Sequence, residues 1–372
     1  MQGSFSPAWR ALAILLALLL HASASADTGS LARTATELIG SLDASQREQL
    51  VHPLDSDLRA TWSNLPTVMA PPAGVLLKAL TDKQRKLAHE LLRESLSSQG
   101  YGKAVGIMWL DDLLYELEEA ALRASEEPPN PVRLTVLENR SSGHYALAVF
   151  GDPGASRWGW KLTGHRLAIN VTVHENSLSV LPGFYGSSPR VVEAGPYAGY
   201  SALGAERELG LALLGSLDKA QRTSAVISGE KPGDVIEGPG RRGSLEEYEG
   251  LQAGRLSSAQ LELLQLLVGE YLRNASASSA ADQLDAIAAA GWRNVWFSWR
   301  GPTDGMGEFY YRVHGPRILI EYNLVNDNHD HSVVRDPLND YGEDWLGYHY
   351  KESHPTMDEA RATLRRAAGV DE

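Results

Sequence analysis

The sequence of 372 residues contains no cysteine. This absence excludes disulfide bonds, thiol nucleophiles and every metal site that needs a thiolate ligand. It also excludes the lipid-modified N-terminus that requires a cysteine. Histidine and carboxylate side chains remain as candidate metal ligands, and we expect the stability of the fold to come from its core.

Long apolar runs after residue 26 and an excess of positive charge are also missing. No later stretch is long and apolar enough to predict a transmembrane helix. The formal net charge is −13 at neutral pH, and an acidic surface repels nucleic acids and anionic lipids. We therefore expect no nucleic-acid partner and no membrane-embedded segment. The hydrophobic share of 43% argues for a folded core and against disorder.

Residues 1–26 have the pattern of a cleavable signal peptide. Arg10 precedes an apolar run over residues 11–20, and Ala24 and Ala26 fit an A-x-A cleavage site. The run is about half as long as a helix that spans a bilayer. The pattern predicts an exported, soluble mature protein that is periplasmic or extracellular.

Four segments share a leucine, then a helix-capping residue, then a glutamine three positions later. This is the pattern of a capping box, and it predicts helices that begin after Asp43, Thr81, Asp218 and Ser257. Each pair of caps is followed by a stretch rich in β-formers. The predicted strands are residues 132–137, 145–150, 158–162 and 167–173, then 294–299, 308–313, 317–322 and 331–335. Helices followed by antiparallel strands indicate an α+β fold.

The two strand-rich stretches resemble each other. Residues 160–170 and 311–321 share three identities in eleven positions, among them Gly164 with Gly315 and Arg166 with Arg317. The alternative is that glycine-turned hairpins of alternating β-formers look alike by chance. We predict an internal duplication of a helices-then-sheet unit: after the signal peptide, one repeat spans residues 27–195 and the other residues 196–372. Together the repeats are expected to form one compact domain.

A polar cluster near the C-terminus gives the candidate site. His329 and His331 lie two residues apart, so both imidazoles point to one face of a strand. In a hairpin of residues 317–322 and 331–335, Glu321 would lie near His331. Two histidines and a carboxylate are the usual ligands of a catalytic zinc or a non-haem iron. The sequence thus offers His329, His331 and Glu321 as metal ligands.

Three further residues complete a hypothetical enzyme site. His165, from the first repeat, would be a fourth ligand or an acid–base group, while Arg335 would steady an anionic intermediate beside Asp336. This reading predicts a metal-dependent hydrolase or oxygenase. A non-catalytic binding protein for a metal or a small polar ligand is the second interpretation. The third is a structural or partner-binding protein whose polar residues serve the turn alone.

Several blocks of the sequence resemble a known family. They are residues 311–323, 329–336 and 340–342, with Trp158-Gly-Trp160 and Gly164-His165 upstream. Together they are similar to a bacterial family of exported proteins, domain of unknown function 3500, over nearly all of the mature chain. The resemblance implies export and overall length but no activity. The family often has a second histidine where this chain has Arg166. The resemblance therefore implies no ligand role for position 166 in this chain.

Overall fold

A computed structural model describes residues 28–125 and 130–342 of the chain. The predicted signal peptide, residues 1–26, lies outside these described residues, as does the end of the second predicted repeat, residues 343–372. None of the described helices combines the length and the apolar character needed to cross a membrane.

The described ranges contain nine α-helices and twelve strands, which confirms the predicted α+β class. The helices are α1 (Thr28–Ser41), α2 (Ala44–Leu50), α3 (Asp82–Ser95), α4 (Ser98–Ala124), α5 (Pro131–Glu138), α6 (Gly204–Ser216), α7 (Lys219–Ala225), α8 (Ser258–Leu272) and α9 (Ala277–Ala290). The strands are β1 (Val51–His52), β2 (Val75–Leu76), β3 (Ala146–Phe150), β4 (Arg157–Gly164), β5 (Leu167–His174), β6 (Ser177–Ser179), β7 (Gly183–Ser187), β8 (Leu251–Gln252), β9 (Trp296–Arg300), β10 (Tyr310–Gly315), β11 (Ile318–Asn326) and β12 (His329–Arg335).

All twelve strands belong to one mixed sheet. Its order is β1-β3-β4-β5-β7-β12-β11-β10-β9-β8, while β2 pairs with β3 and β6 pairs with β5. Strand β1 runs parallel to β3, and the other pairs are antiparallel. The first half of the chain joins the second where β7 pairs with β12, through partners such as Gly186 and His331.

The four predicted capping boxes are confirmed. In each, the capping side chain accepts the backbone N–H of the glutamine, and the glutamine side chain accepts the N–H of the capping residue. The glutamines also contact one another in pairs, Gln46 with Gln84 at 3.4 Å and Gln221 with Gln260 at 2.9 Å. The boxes therefore both start the helices and join each pair of helix ends.

Two local predictions are wrong. Residues 132–137 lie inside helix α5, not in a strand; Pro131 is its first residue, a position that proline favours. The sequence also predicts a loop over residues 96–105, but this segment contains the start of α4, which Ser97 caps by accepting the Gly100 N–H at 3.1 Å. A Cβ at Gly100 would lie 1.9 Å from the Asn274 carbonyl oxygen. That glycine permits close packing instead of breaking the helix.

The duplication of the sequence stays a prediction, and the two halves can be compared strand by strand. Lys161 of β4 pairs with Asn170 of β5, and Arg312 of β10 pairs with Glu321 of β11. The similar segments 160–170 and 311–321 therefore occupy corresponding hairpins with the same register.

The two faces of the sheet are covered by different parts of the chain. The helices pack on one face over a large apolar cluster. On the other face lie two covering segments, residues 53–74 and residues 227–250. Their Trp62 and Val235 pack with the strand residues Ala168, Phe184 and Val333. Polar strand residues on this face bond to the backbone of the segments; Lys161, for example, donates to the carbonyl of Thr61 at 2.6 Å.

The helix-covered face also encloses charged groups. Lys103 of α4 forms an ion pair with Glu206 of α6, and lies 3.4 Å from Glu270. Asp330 of β12 accepts the Tyr322 hydroxyl at 2.8 Å, and its Oδ1 atom has no hydrogen-bond partner in the described ranges. Burial raises the pKa of Asp330 to about 7 against the lowering effect of the Tyr322 hydrogen bond. The fold therefore favours the neutral form of this acid.

We expect Asp330→Asn to flatten the dependence of stability on pH. The raised pKa means that the folded state binds a proton that the unfolded state releases at lower pH, so stability falls as pH rises through about 7. Between pH 6 and pH 8 the wild type should lose about 1 kcal/mol from this group. Urea denaturation at both pH values measures the difference. The exposed Asp327→Asn is the control, and equal pH dependence in Asp330→Asn and wild type would contradict the account.

Candidate functional site

His329 and His331 begin strand β12, and both lie on the face under the covering segments. His331 pairs with Gly186 of β7, where a Cβ would lie 2.7 Å from the His331 ring and 3.1 Å from the Arg166 Cβ. Any larger residue at position 186 would push these two side chains apart. The glycine therefore allows the first half of the chain to bring Arg166 up to the histidine pair.

The second covering segment fixes one side of His331. The Nδ1 atom of His331 lies 2.8 Å from Oδ1 of Asp234, and the other carboxylate oxygen accepts Asn64 Nδ2 at 3.1 Å. Burial alone would raise the pKa of Asp234, but the hydrogen bond and the charge of His331 outweigh it and lower that pKa. Asp234 is therefore ionised and can only accept hydrogen bonds. It joins the two covering segments directly above His331.

His329 accepts contacts from two directions. Its Nε2 atom lies 3.1 Å from Arg166 Nε and 2.7 Å from His331 Nε2. Burial, followed by the positive charge of Arg166, lowers the pKa of His329 to about 2. His329 is therefore a neutral imidazole near pH 7, and its Nε2 atom accepts the Arg166 N–H.

The contacts of His331 fix one of its protons. Its Nδ1 atom must donate, because ionised Asp234 has no proton to give. Its Nε2 atom lies against His329 Nε2, and the direction of that hydrogen bond depends on the tautomers of the two rings. Arg166 Nε and His331 Nε2 thus approach the same nitrogen of His329.

Arg166 occupies the tip of the β4–β5 hairpin. Its φ angle is 62°, a left-handed conformation that a residue other than glycine rarely adopts. It is buried, and burial lowers the pKa of its guanidinium to about 10, which leaves the group charged. Its Nη1 atom lies 3.6 Å from Oδ1 of Asp111, a buried residue of α4. The strained turn holds this charge against His329.

His165 lies beside Arg166 and is bound to the same carboxylate. Its Nδ1 atom is 2.7 Å from Asp111 Oδ1, and the Tyr145 hydroxyl donates to Asp111 Oδ2 at 2.8 Å. Burial, then the Arg166 charge, lowers the pKa of His165. Asp111 therefore orients His165 much as Asp234 orients His331. We call His165, Arg166, His329, His331, Asp111 and Asp234 the histidine–arginine cluster.

Glu321 has a different role from the predicted one. The register places Asn323, not Glu321, opposite His331. The two carboxylate oxygens of Glu321 accept the backbone N–H groups of Ile236 and Glu237, each at 2.7 Å, and one of them also accepts the Tyr310 hydroxyl. Burial raises the pKa of Glu321. This residue holds the second covering segment on the sheet.

Arg335 and Asp336 are likewise occupied by structural contacts. Arg335 donates to the carbonyl of Glu237 at 2.9 Å and to Asp340 at 2.6 Å. Asp336 accepts Arg317 through both oxygens, at 2.7 to 3.0 Å, and accepts Gln283 at 2.9 Å. The structure places neither residue against the histidines.

The predicted metal ligands do not assemble into one set. Across residues 28–125 and 130–342, no three histidine, aspartate or glutamate side chains form a group that could hold a metal ion. The donor arrangement explains this result, because the guanidinium of Arg166 points an N–H at the His329 nitrogen that would face the metal. The positive charge of Arg166, whose Nε atom lies 3.1 Å from His329 Nε2, would also repel a divalent cation bound to that nitrogen.

Sequence reasoning missed Asp111, Asp234 and the role of Arg166. The two aspartates lie on a helix and a covering segment far from the histidines in sequence, and no local pattern marks them. Arg166 had one signal, since the resemblance given in the sequence analysis implies a histidine at its position.

Comparison with known proteins places the chain in a family without supplying an activity. No curated protein and no solved structure matches it. The family model described as "Protein of unknown function (DUF3500)" matches residues 24–343, which is most of the chain. The chain belongs to this family, DUF3500.

Proposed function

We propose that the chain binds a small oxyanion, such as a carboxylate or a phosphate, at the histidine–arginine cluster, where His331 is an imidazolium that donates a proton to it. The observation that carries this proposal is the convergence of Arg166 and His331 on a single acceptor atom, His329 Nε2. Hydrogen bonds between charged donors and anionic oxygens are about twice as strong as neutral ones. An anionic oxygen is therefore a better acceptor at this point than a neutral imidazole.

In this proposal, the ring of His329 occupies the position of the ligand when no ligand is bound. It is the first residue of β12, and it is less buried than His331, which is 6% exposed. When its ring turns outward, an oxyanion can take its place between the two donors. The imidazolium of His331 is then a general acid oriented by Asp234, an arrangement that resembles other aspartate–histidine pairs.

The predicted export of the chain is part of the proposal. The pattern of residues 1–26 supports a signal peptide, and the acidic composition disfavours nucleic-acid partners. The substrate class we propose is therefore a small anionic molecule of the periplasm or the cell exterior.

Binding of inorganic phosphate and acetate tests the proposal. We expect isothermal titration calorimetry at low ionic strength to detect binding of at least one of them to the wild-type chain, and His331→Gln to weaken it about tenfold. The control is His89→Gln, since His89 contacts Tyr101 on helix α4 and lies outside the cluster. Absence of binding by both anions, or equal affinity in His331→Gln and wild type, would contradict the proposal.

A zinc or iron site in a hydrolase or an oxygenase is the second candidate. One observation favours it: a carboxylate on Nδ1 of both His165 and His331 is the usual partner of a metal-ligating histidine. The charge and direction of Arg166 oppose it. About one metal ion per chain in protein purified without a histidine tag, lost in His329→Ala/His331→Ala, would favour this candidate over oxyanion binding.

A further inference from the structure

We propose a second small-molecule site, on the opposite face of the sheet, for a neutral polyhydroxyl compound about the size of one sugar ring. The site is a cavity of about 340 Å³ between strand β6 with the residues after it and helices α8 and α9. Small-molecule sites in proteins have volumes of roughly 300–1,000 Å³. The cavity therefore lies at the small end of this range.

The cavity is separate from the histidine–arginine cluster. Tyr185 and Val334 line it, and both belong to the apolar core beneath the helices. Gly186, which follows Tyr185, and His331, which lies three residues before Val334, are paired and face the other side of the sheet. Because adjacent strand residues point to opposite faces, the sheet itself divides the two sites.

Two hydroxyl groups of residues in the cavity wall give the ligand its chemistry. They belong to Ser279 and Tyr185, which are 7% and 2% exposed. Among the described residues, neither of these hydroxyls has a protein hydrogen-bond partner. Polar groups this deeply buried are nearly always hydrogen-bonded, so a ligand or water must satisfy them. A ligand that carries several hydroxyl groups can donate to and accept from both.

The charges around the cavity disfavour an anion. Arg317 lines it, but both carboxylate oxygens of Asp336 accept the Arg317 guanidinium. The other charged group in the wall is Asp282, and burial, then the charge of Asp285, raises its pKa. A negative wall group repels an oxyanion, whereas the apolar surfaces of Leu181 and Val334 accept the carbon face of a sugar ring.

Ligand-observed saturation-transfer NMR tests the proposal with four probes: glucose, myo-inositol, glucosamine and glucuronate. We expect signal from glucose or myo-inositol, no more from glucosamine, and the least from glucuronate. Ser279→Ala should weaken binding about tenfold, and Ala286→Phe should abolish it by filling the cavity, since Ala286 lines the wall. The control is Ser278→Ala, because that hydroxyl contacts Ser276 and lies outside the cavity wall.

Thermal melting of each variant separates loss of binding from loss of the fold, and Ser279→Ala removes only one oxygen atom. The proposal is overturned by absence of signal from both neutral probes, by stronger binding of glucosamine or glucuronate, or by unchanged binding in the folded variants.

Discussion

Arg335→Met should lower the free energy of unfolding by about 3–5 kcal/mol, because it removes one partner from a buried ion pair. Arg335 is 2% exposed and donates to Asp340 and to the carbonyls of Glu237 and Gly238. Without it, the Asp340 carboxylate is left in the interior with less compensation. Chemical denaturation at pH 7 measures the loss.

Asp340 makes the destabilisation by Arg335→Met depend on pH. Burial raises the pKa of Asp340 to about 6, against the lowering effect of Arg335. The variant lacks that lowering effect, so its Asp340 is neutral at pH 5, and the penalty should be smaller there than at pH 8. Exposed Arg255→Met is the matched control, for which a change within about 0.5 kcal/mol is expected. An Arg335→Met variant as stable as Arg255→Met would refute a structural role for this arginine.

Arg166→Gln should weaken phosphate binding by roughly tenfold to hundredfold, since a hydrogen bond from a charged group contributes about 1.5–3 kcal/mol. The substitution keeps a polar side chain at the same left-handed position but removes the charge beside His329. Calorimetry at low ionic strength measures the affinity. Arg166→Lys retains the charge without the Nε donor and should give an intermediate affinity.

The matched comparison is His329→Ala. If His329 occupies the place of the ligand, its removal frees the N–H groups of Arg166 and His331, and phosphate should bind more tightly than to the wild type. A metal site or a site that needs His329 as a base predicts the reverse. Weaker phosphate binding in His329→Ala would therefore contradict the proposal that this histidine occupies the position of the ligand.

The fold was predictable where the signal is local. Each capping box needs only a capping residue and a glutamine three residues later, such as Asp43 and Gln46. The structure contains all four predicted boxes. Alternating β-formers gave strands β3 to β5 and β9 to β12. The predictions for residues 132–137 and 96–105 are wrong because the roles of Pro131 and Gly100 depend on their surroundings, one as a helix start and one as a contact with Asn274.

The site was predictable only in part, since its partners are distant in sequence. The period of a strand correctly placed His329 and His331 on one face. The residue of β11 that lies opposite His331 depends on the register of the β11–β12 pair. That register pairs His331 with Asn323, while Glu321 binds the second covering segment. Asp234 reaches His331 from that same segment, and no spacing in the sequence encodes this contact.

The covering segments explain why so many polar residues near the C-terminus are structural. Glu321 accepts two backbone N–H groups of the second segment, and Arg335 donates to two of its carbonyls. In the first half, Lys161 donates to carbonyls of the first segment. Polar strand residues thus add to the apolar contacts of Trp62 and Val235 that attach the segments to the sheet. The two segments meet above His331, at the oxyanion site proposed above.

The protonation of the histidines tests this account most directly. Nitrogen-15 NMR of histidine-labelled protein at pH 7 distinguishes an imidazolium from each neutral tautomer. We expect both nitrogens of His331 to be protonated and His329 to be neutral with a bare Nε2 atom, assigned by the loss of signals in His331→Gln and His329→Gln. A neutral His331 would contradict the convergence of two cationic donors on His329, and with it the proposed oxyanion site.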